Sequence, residues 1–323
     1  MKYLVRTLAR AVLLLAGVSL LCFGFTEMAP GNFFDEMRLN PQISPGTINA
    51  LQARYGLDQP LLVRYGRWLK SAARADLGYS IAYNSPVAPL LWTRCKNTFL
   101  VTTTSMMFTW LISLPLGVLM AARRRSVFDK VFSAAGSLVV SIPEVVLGVA
   151  LLAIVVRWRL LPLSAPATGE GQTMVAHVSD LVLRMALPVF ILVLVESAII
   201  ARHVRASVSE ILRMPFVQSA KALGIPRTRV LFRHVLPAAA NPAISLFGFS
   251  LAGLVSGSLL IEVICGWPGL GPLILEATLS RDFSLVIASI MLSACFMVGG
   301  NLIADVLLLL ADPRIRTGAL DAN

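Results

Sequence analysis

Charge is what this chain has least of. Charged residues make up 14% of its 323 residues, hydrophobic residues 57%, and the mean hydropathy is +0.78. Soluble domains carry about a quarter charged residues, so that class is excluded and the chain reads as an all-α polytopic membrane protein. Chemistry-bearing motifs are missing as well. There is no GxxxxGK[S/T] nucleotide loop, no HExxH, no GxSxG and no CxxC. The three histidines, His177, His203 and His234, are not paired at ligand spacing. No metal site, catalytic cluster or resident cofactor is expected. Anything moved uphill must draw on an ion gradient or on a partner. Four cysteines, Cys22, Cys95, Cys265 and Cys295, lack framework spacing. Cys22 and Cys295 sit in apolar runs and are expected to be small buried hydrophobes, whereas a disulfide between Cys95 and Cys265 is left open. The net charge of +11 would point to nucleic acid in a soluble chain. No aromatic-and-basic module accompanies it, so nucleic acid is not an expected partner.

Long apolar runs are what the chain does have. Lys2, Arg6 and Arg10 precede a run over 11–25 that looks like a secretory signal. Thr26-Glu27-Met28-Ala29 offers no small-x-small cleavage site, and Leu21 before Cys22 is not the small residue of a lipoprotein signal, so the run is read as a first transmembrane helix. Further runs over 98–122, 131–156, 181–201, 243–263 and 284–310 can each cross a core of about 30 Å, giving six spans. The sequence divides into an N-terminal helix (1–26), a polar subdomain (27–97), a five-helix core (98–310) holding a long loop (202–242), and a tail (311–323). Helical spacing inside the polar subdomain predicts short helices over 48–55 and 61–73.

Basic residues set the orientation. Arg123, Arg124, Arg125 and Lys130 face Asp129 in one loop. Arg202, Arg205, Arg213, Lys221, Arg227, Arg229 and Arg233 face Glu210 in another, while the opposite short loops are near neutral. Both basic loops and both termini are therefore expected in the cytoplasm, with 27–97 outside. His203 and His234 fall in the basic loop as solvated or phosphate-facing groups.

Within the spans, Pro115-Leu116-Gly117, Pro143 and Pro188 interrupt the hydrogen-bond ladder, either for packing or for helices that rock against one another. Gly253 and Gly257 form a small-xxx-small packing face. Glu262 and Asp305 lie near helix ends, within reach of water. Glu144 is placed about 13 residues into its helix, roughly 20 Å deep, and Glu196 about 18 Å below Arg184. A carboxylate at such depth faces a cavity or makes an interhelical hydrogen bond, so both are candidates for a substrate pathway.

The stretch Met214-Pro215-Phe216-Val217-Gln218-Ser219-Ala220-Lys221-Ala222-Leu223-Gly224 is too short to span. Pro215 suits a first helical position, and Gly224 before Pro226 suits a helix end. Phe216, Ala220 and Leu223 make one apolar edge that needs a surface: lipid, this protein, or a partner.

These pieces resemble the permease subunits of bacterial and archaeal ATP-binding-cassette importers, in the dipeptide/oligopeptide/nickel branch. Ala29-Pro30-Gly31-Asn32, Leu57-Asp58-Gln59-Pro60-Leu61, Arg64-Tyr65, Trp68-Leu69 and Asp76-Leu77-Gly78-Tyr79-Ser80 carry the resemblance in the first third. Gly266-Trp267-Pro268-Gly269-Leu270-Gly271, Arg281-Asp282, Asn301-Leu302 and Asp312-Pro313-Arg314-Ile315-Arg316 carry it toward the end. The run from Phe216 to Gly224 and on through Arg233-His234 is similar to the branch's form of the EAA loop. Gln218 stands for the general motif's Glu, Ser219 for its second residue and His234 for its later Ile.

The resemblance implies a type I importer permease fold and a coupling helix seated in a groove of a separate ATPase. Phe216, Gln218, Ser219, Ala220, Lys221, Leu223, Gly224 and Pro237 would be the coupling residues, with the apolar edge turned to the partner. It also implies a second homologous permease, two cytoplasmic ATPases that bind the ATP, an extracytoplasmic substrate-binding protein, and a peptide substrate. Nickel or another small solute is the alternative cargo. An ion-coupled secondary transporter, with an essential proton site at Glu144 or Glu196, is the more distant alternative to the whole scheme.

Overall fold

A computed structural model describes residues 2–28, 38, 44, 46, 59–161 and 174–311. Hydrocarbon offers no water to satisfy backbone N–H and C=O groups, so each span closes its own hydrogen bonds as a helix. In chain order the elements are α1 (Lys2–Met28), α2 (Leu61–Ala72), a hairpin of β1 (Tyr79–Ser80) and β2 (Ser85–Pro86), α3 (Val87–Ala122) and α4 (Val127–Ser141). Then come α5 (Glu144–Trp158), α6 (Met174–Ile211), α7 (Pro215–Ala222), α8 (Arg227–Val230), a π-helical turn (Leu231–Val235), α9 (Leu236–Ala238), α10 (Ala240–Cys265), α11 (Leu270–Leu279) and α12 (Phe283–Ala311). The expected helix over 48–55, the Ala29-to-Asn32 motif and the Asp312-to-Arg316 motif lie outside the described residues.

Among the described residues, α1, α3, α6, α10 and α12 are long and apolar enough to cross a membrane, and α4 with α5 makes a sixth span if counted together. That sixth span differs from the continuous helix expected over 131–156: α4 and α5 meet at 101°. Ile142 and Pro143 are extended there (ψ 128° and 134°). Proline lacks the donor for the preceding turn and pushes its neighbour out of the α region. Pro115 and Pro188, by contrast, are carried inside the unbroken α3 and α6.

The chain forms two compact units. The first comprises Met1–Thr98 with Pro268–Val298. In it α1 and α2 meet through aromatic packing: the Phe23 ring stands edge-on to Tyr65 at 5.2 Å and tilted to Trp68 at 5.3 Å, beside a 2.9 Å Ser19–Tyr65 hydroxyl contact. Asp76 Oδ1 accepts from the Gly78 amide at 3.0 Å, and Gly78 takes φ +86°, turning the chain into the hairpin. The hairpin is tied down by Asp282, 2% exposed. Its Oδ2 accepts from Ser80 Oγ at 2.6 Å and the Ala82 amide at 3.1 Å, while Oδ1 accepts from Leu285 N at 3.2 Å in the first turn of α12. Thr98 Oγ1 likewise accepts from Leu270 N at 2.8 Å, fixing the start of α11.

The second unit comprises Phe99–Trp267 with Gly299–Asn323. One apolar cluster gathers around Ile191, Leu192, Leu254 and Ile261, and a second around Ile200, Val204, Val208, Val217, Val230 and Val235. Small hydroxyl residues line a buried face of α3. Ser113 Oγ donates to the Ser197 carbonyl at 3.4 Å, and Trp110 Nε1 donates to Ser250 Oγ at 3.1 Å, the polar glue of helix pairs in lipid. Glu262, expected within reach of water, is 0% exposed. The α10 helix continues past it to Cys265, and Trp267 N donates back to its carbonyl at 2.9 Å. Cys95 and Cys265 are both free thiols.

Replacing Asp282 by Ala leaves three donors without their acceptor, at a cost of about 1–3 kcal/mol for each one that stays buried. Hydrogen exchange measured by mass spectrometry is expected to accelerate at the amides of 80–85 in Asp282→Ala and to stay unchanged at α7.

Candidate functional site

The candidate coupling segment forms where α6 runs out of helix. Leu212, Arg213 and Met214 leave the α6 axis, and α7 opens with Pro215 at its first position, where a missing N–H costs nothing. Gly224 takes φ +76°, a left-handed conformation that ends the helix without the strain a Cβ would bring. Both boundaries agree with the sequence reading.

The faces of α7 divide differently from the expected edge. Val217 (0% exposed) and Ala220 (8%) are buried against Val204, Val208 and Ile211 of α6 and Val230 and Val235 beyond. Phe216 and Leu223 remain 48% and 81% exposed. Ala220 is thus a seat residue, not part of an outward edge. The small and β-branched side chains fit the narrow approach to α6, and the bulky ones stay outside. Ser219, Lys221 and Gly224 are also exposed.

Gln218 has a role that its motif position did not announce. Its Nε2 donates to the Leu212 carbonyl at 2.8 Å, satisfying a backbone acceptor orphaned at the end of α6. A carboxylate has no proton to donate there, which gives a physical meaning to Gln in place of Glu. Pro237 lies just after the π-helical turn, in which Leu236 N reaches back to Leu231 O. Proline denies the Arg233 carbonyl its α-helical donor, and the ladder widens ahead of it. Arg227, Arg229 and Arg233 stand exposed around this turn.

The two candidate pathway acids come together on a third helix. Glu144 is the first residue of α5, directly after the bend, and not deep within a continuous helix. In the first turn its charge meets the favourable end of the helix dipole. Its two oxygens lie over Gly257, where an added Cβ would come to 3.0 Å of each; Glu196 Oε1 lies over Gly253, where a Cβ would come to 2.9 Å. The Gly253/Gly257 face, read from sequence as a packing surface, is therefore the clearance for two half-buried carboxylates. They sit one helical turn, about 6 Å, apart along α10. Among the described residues neither carboxylate has an ion-pair partner. No cluster of three or more metal-ligating side chains occurs among those residues either.

A separate cavity of about 1140 Å³ opens between α3, α6, the π-helical turn and α10, with Trp110, Pro115, Val204, Phe232 and Phe247 in its walls. Ser207 and Thr228 are its polar lining, and neither candidate acid borders it. One ion pair escaped the sequence reading altogether. Arg205 of α6 grips Asp129 of α4 through Nε at 2.5 Å and through a second nitrogen at 2.9 Å. Both residues had registered only as loop charges. The available signal was Ser126 three residues ahead of Asp129, the spacing of a helix-capping serine and a first-turn acid.

Two substitutions separate seat from surface on α7. Val217→Ala removes buried methyl groups and is expected to cost about 1–3 kcal/mol. Leu223→Ala should change stability by no more than about 0.5 kcal/mol. Thermal unfolding of the purified permease in detergent distinguishes them, and equal effects would contradict this division of faces.

The profile of the binding-protein-dependent transport system inner membrane component family matches residues 113–317. The chain is 32% identical to the oligopeptide transport system permease protein AppB of Bacillus subtilis over 317 residues, covering 97% of this chain and 98% of the relative. It is 30% identical to the dipeptide transport system permease protein DppB of Escherichia coli K12, covering 98% and 99%. Among solved structures, an inward-facing MetNI methionine ABC transporter shares the fold at a TM-score of 0.56 and 19% identity, over 69% of this chain and 96% of that one. The chain therefore belongs to the family of inner membrane components of binding-protein-dependent transport systems: it is a multi-pass permease of an ABC importer, and not an enzyme.

Proposed function

We propose that this permease carries peptides inward across the membrane, forming half of a translocation pathway with a second homologous permease. Two cytoplasmic ATPase subunits bind the ATP, and an extracytoplasmic binding protein delivers the cargo. The observation that carries the coupling half of the proposal is α7: a short helix with Val217 and Ala220 anchored on α6 and Phe216 and Leu223 left outward. A helix so fixed can pass on a push, and its exposed apolar side chains supply what a partner groove would cover. Gln218, Ser219, Lys221, Gly224 and Pro237 complete the coupling segment. The basic loops and both termini face the cytoplasm by the positive-inside rule, which puts α7 on the ATPase side.

The peptide reading is supported by the names of the relatives and by the paired acids. Glu144 and Glu196, half-buried over the glycine face of α10, offer negative charge to a peptide's protonated amino end. A cation there is held in a partly desolvated site, where its attraction exceeds that in bulk water.

The test reconstitutes the permease pair with its ATPases and binding protein in proteoliposomes and follows radiolabelled trialanine. Gly224→Val forces a β-branched residue into the left-handed region, costing about 1–2 kcal/mol, and about tenfold lower uptake with weakened ATPase co-purification is expected. Unchanged uptake and assembly would exclude α7 as the coupling element. Glu144→Gln is expected to lower uptake of trialanine about tenfold while leaving its N-acetylated form unaffected. Equal uptake of both peptides by wild type and variant would remove the acids from the pathway.

A further inference from the structure

The Asp129–Arg205 pair is not used by the pathway or by the coupling surface, and it is built with care. The Asp129 side chain is 3% exposed, and Arg205 reaches it through two nitrogens. The Arg125 amide donates to the same carboxylate at 2.9 Å, and Ser126 Oγ caps the Asp129 amide at 3.2 Å. An ion pair that must be desolvated is a poor way to gain stability, since a well-packed apolar pair does as well or better. A two-pronged guanidinium–carboxylate contact instead fixes angle as well as distance.

A second contact lies seven residues along each helix. Gly136 of α4 approaches Ala198 of α6, so that an added Cβ would sit 3.6 Å from the Ala198 Cβ. The helices are therefore strapped antiparallel at two points about 10 Å apart. On α6, Arg205 is interleaved with Val204 and Val208, the residues on which α7 is seated. At the other end α4 stops at the Ile142–Pro143 bend, and the next residue is Glu144.

We infer that the Asp129–Arg205 pair joins α4, the C-terminal half of α6, and α7 into one rigid lever that hinges at Pro143. A displacement received at α7 then arrives at both acids: directly at Glu196, which rides on α6, and through α4 and the hinge at Glu144. Asp129 and Arg205 are positioning residues in this scheme; neither touches cargo or ATPase. The inference rests on the coupling role proposed for α7.

The test uses the full complex in nanodiscs, with spin labels at Ser141→Cys on α4 and Arg213→Cys beside α7, after replacement of the four native cysteines. Double electron–electron resonance in the wild-type pair background is expected to give one narrow distance, the same without nucleotide and with ATP plus vanadate. Asp129→Asn should broaden that distance and make it depend on nucleotide, while Asp129→Glu, which keeps the carboxylate, should restore it. In proteoliposomes, the ATP hydrolysed per trialanine imported should rise about fivefold or more in Asp129→Asn and return toward wild type in Asp129→Glu. A wild-type distance that shifts with nucleotide overturns the lever, as does an Asp129→Asn distance matching wild type. Broadening that Asp129→Glu leaves uncorrected also overturns it, because the carboxylate would then not be the cause. Failure of the coupling reading looks different: wild-type permease would neither retain its ATPases nor spend ATP on trialanine import.

Discussion

A backbone amide in hydrocarbon has no water to turn to, and that constraint decides where this chain can stop being a helix. Pro115 and Pro188 are absorbed within α3 and α6, whereas Pro143 breaks the ladder and turns it by 101°. The other interruptions fall at the ends of spans. There Gln218 caps the last turn of α6 at Leu212, and Gly266 (φ +65°) closes α10. Those two ends are supplied with a donor and a left-handed residue respectively. The departures are also where the candidate chemistry stands: Glu144 follows the break at Pro143, and α7 follows the end of α6.

The same economy governs charge. Two of the acids that lie away from water are held by specific local structure. Asp282 is surrounded by two backbone amides and a serine hydroxyl, and Asp129 by a guanidinium and an amide. Glu144 and Glu196 differ in kind. They rest against bare glycine backbone on α10, with no basic partner among the described residues. Carboxylates given space instead of a counter-charge are suited to receive a cation from elsewhere, which is why the proposed cargo contact is placed on them and not in the apolar cavity beside Trp110.

Much of the architecture was legible from apolar run length, because a 30 Å core imposes a minimum span whatever the tertiary packing. The boundaries of α7 were legible for a local reason: Pro215 and Gly224 act through their own φ angles. What failed was facing. Phe216, Ala220 and Leu223 share an edge by spacing, but Ala220 is taken up by the seat on α6 while the other two stay out. Helical periodicity says which residues are neighbours, not which neighbour another helix will cover. The placing of Glu144 inside a continuous helix failed similarly, because hydropathy does not distinguish a kinked span from one bent by 101°, and Glu262 proved buried despite lying near its helix end.

The sequence by itself determined the class of protein, the existence of the spans, the expected orientation of the basic loops, and the start and stop of the candidate coupling helix. All of these follow from transfer free energy and single-residue backbone preference, which do not depend on distant contacts. Only the tertiary structure decided that Glu144 and Glu196, 52 positions apart, share one face of α10, and that Asp129 and Arg205, 76 apart, close a single ion pair. Those meetings depend on the bend at Pro143 and on the antiparallel packing of α4 against α6. They are relations between helices, and no pattern within one helix encodes them.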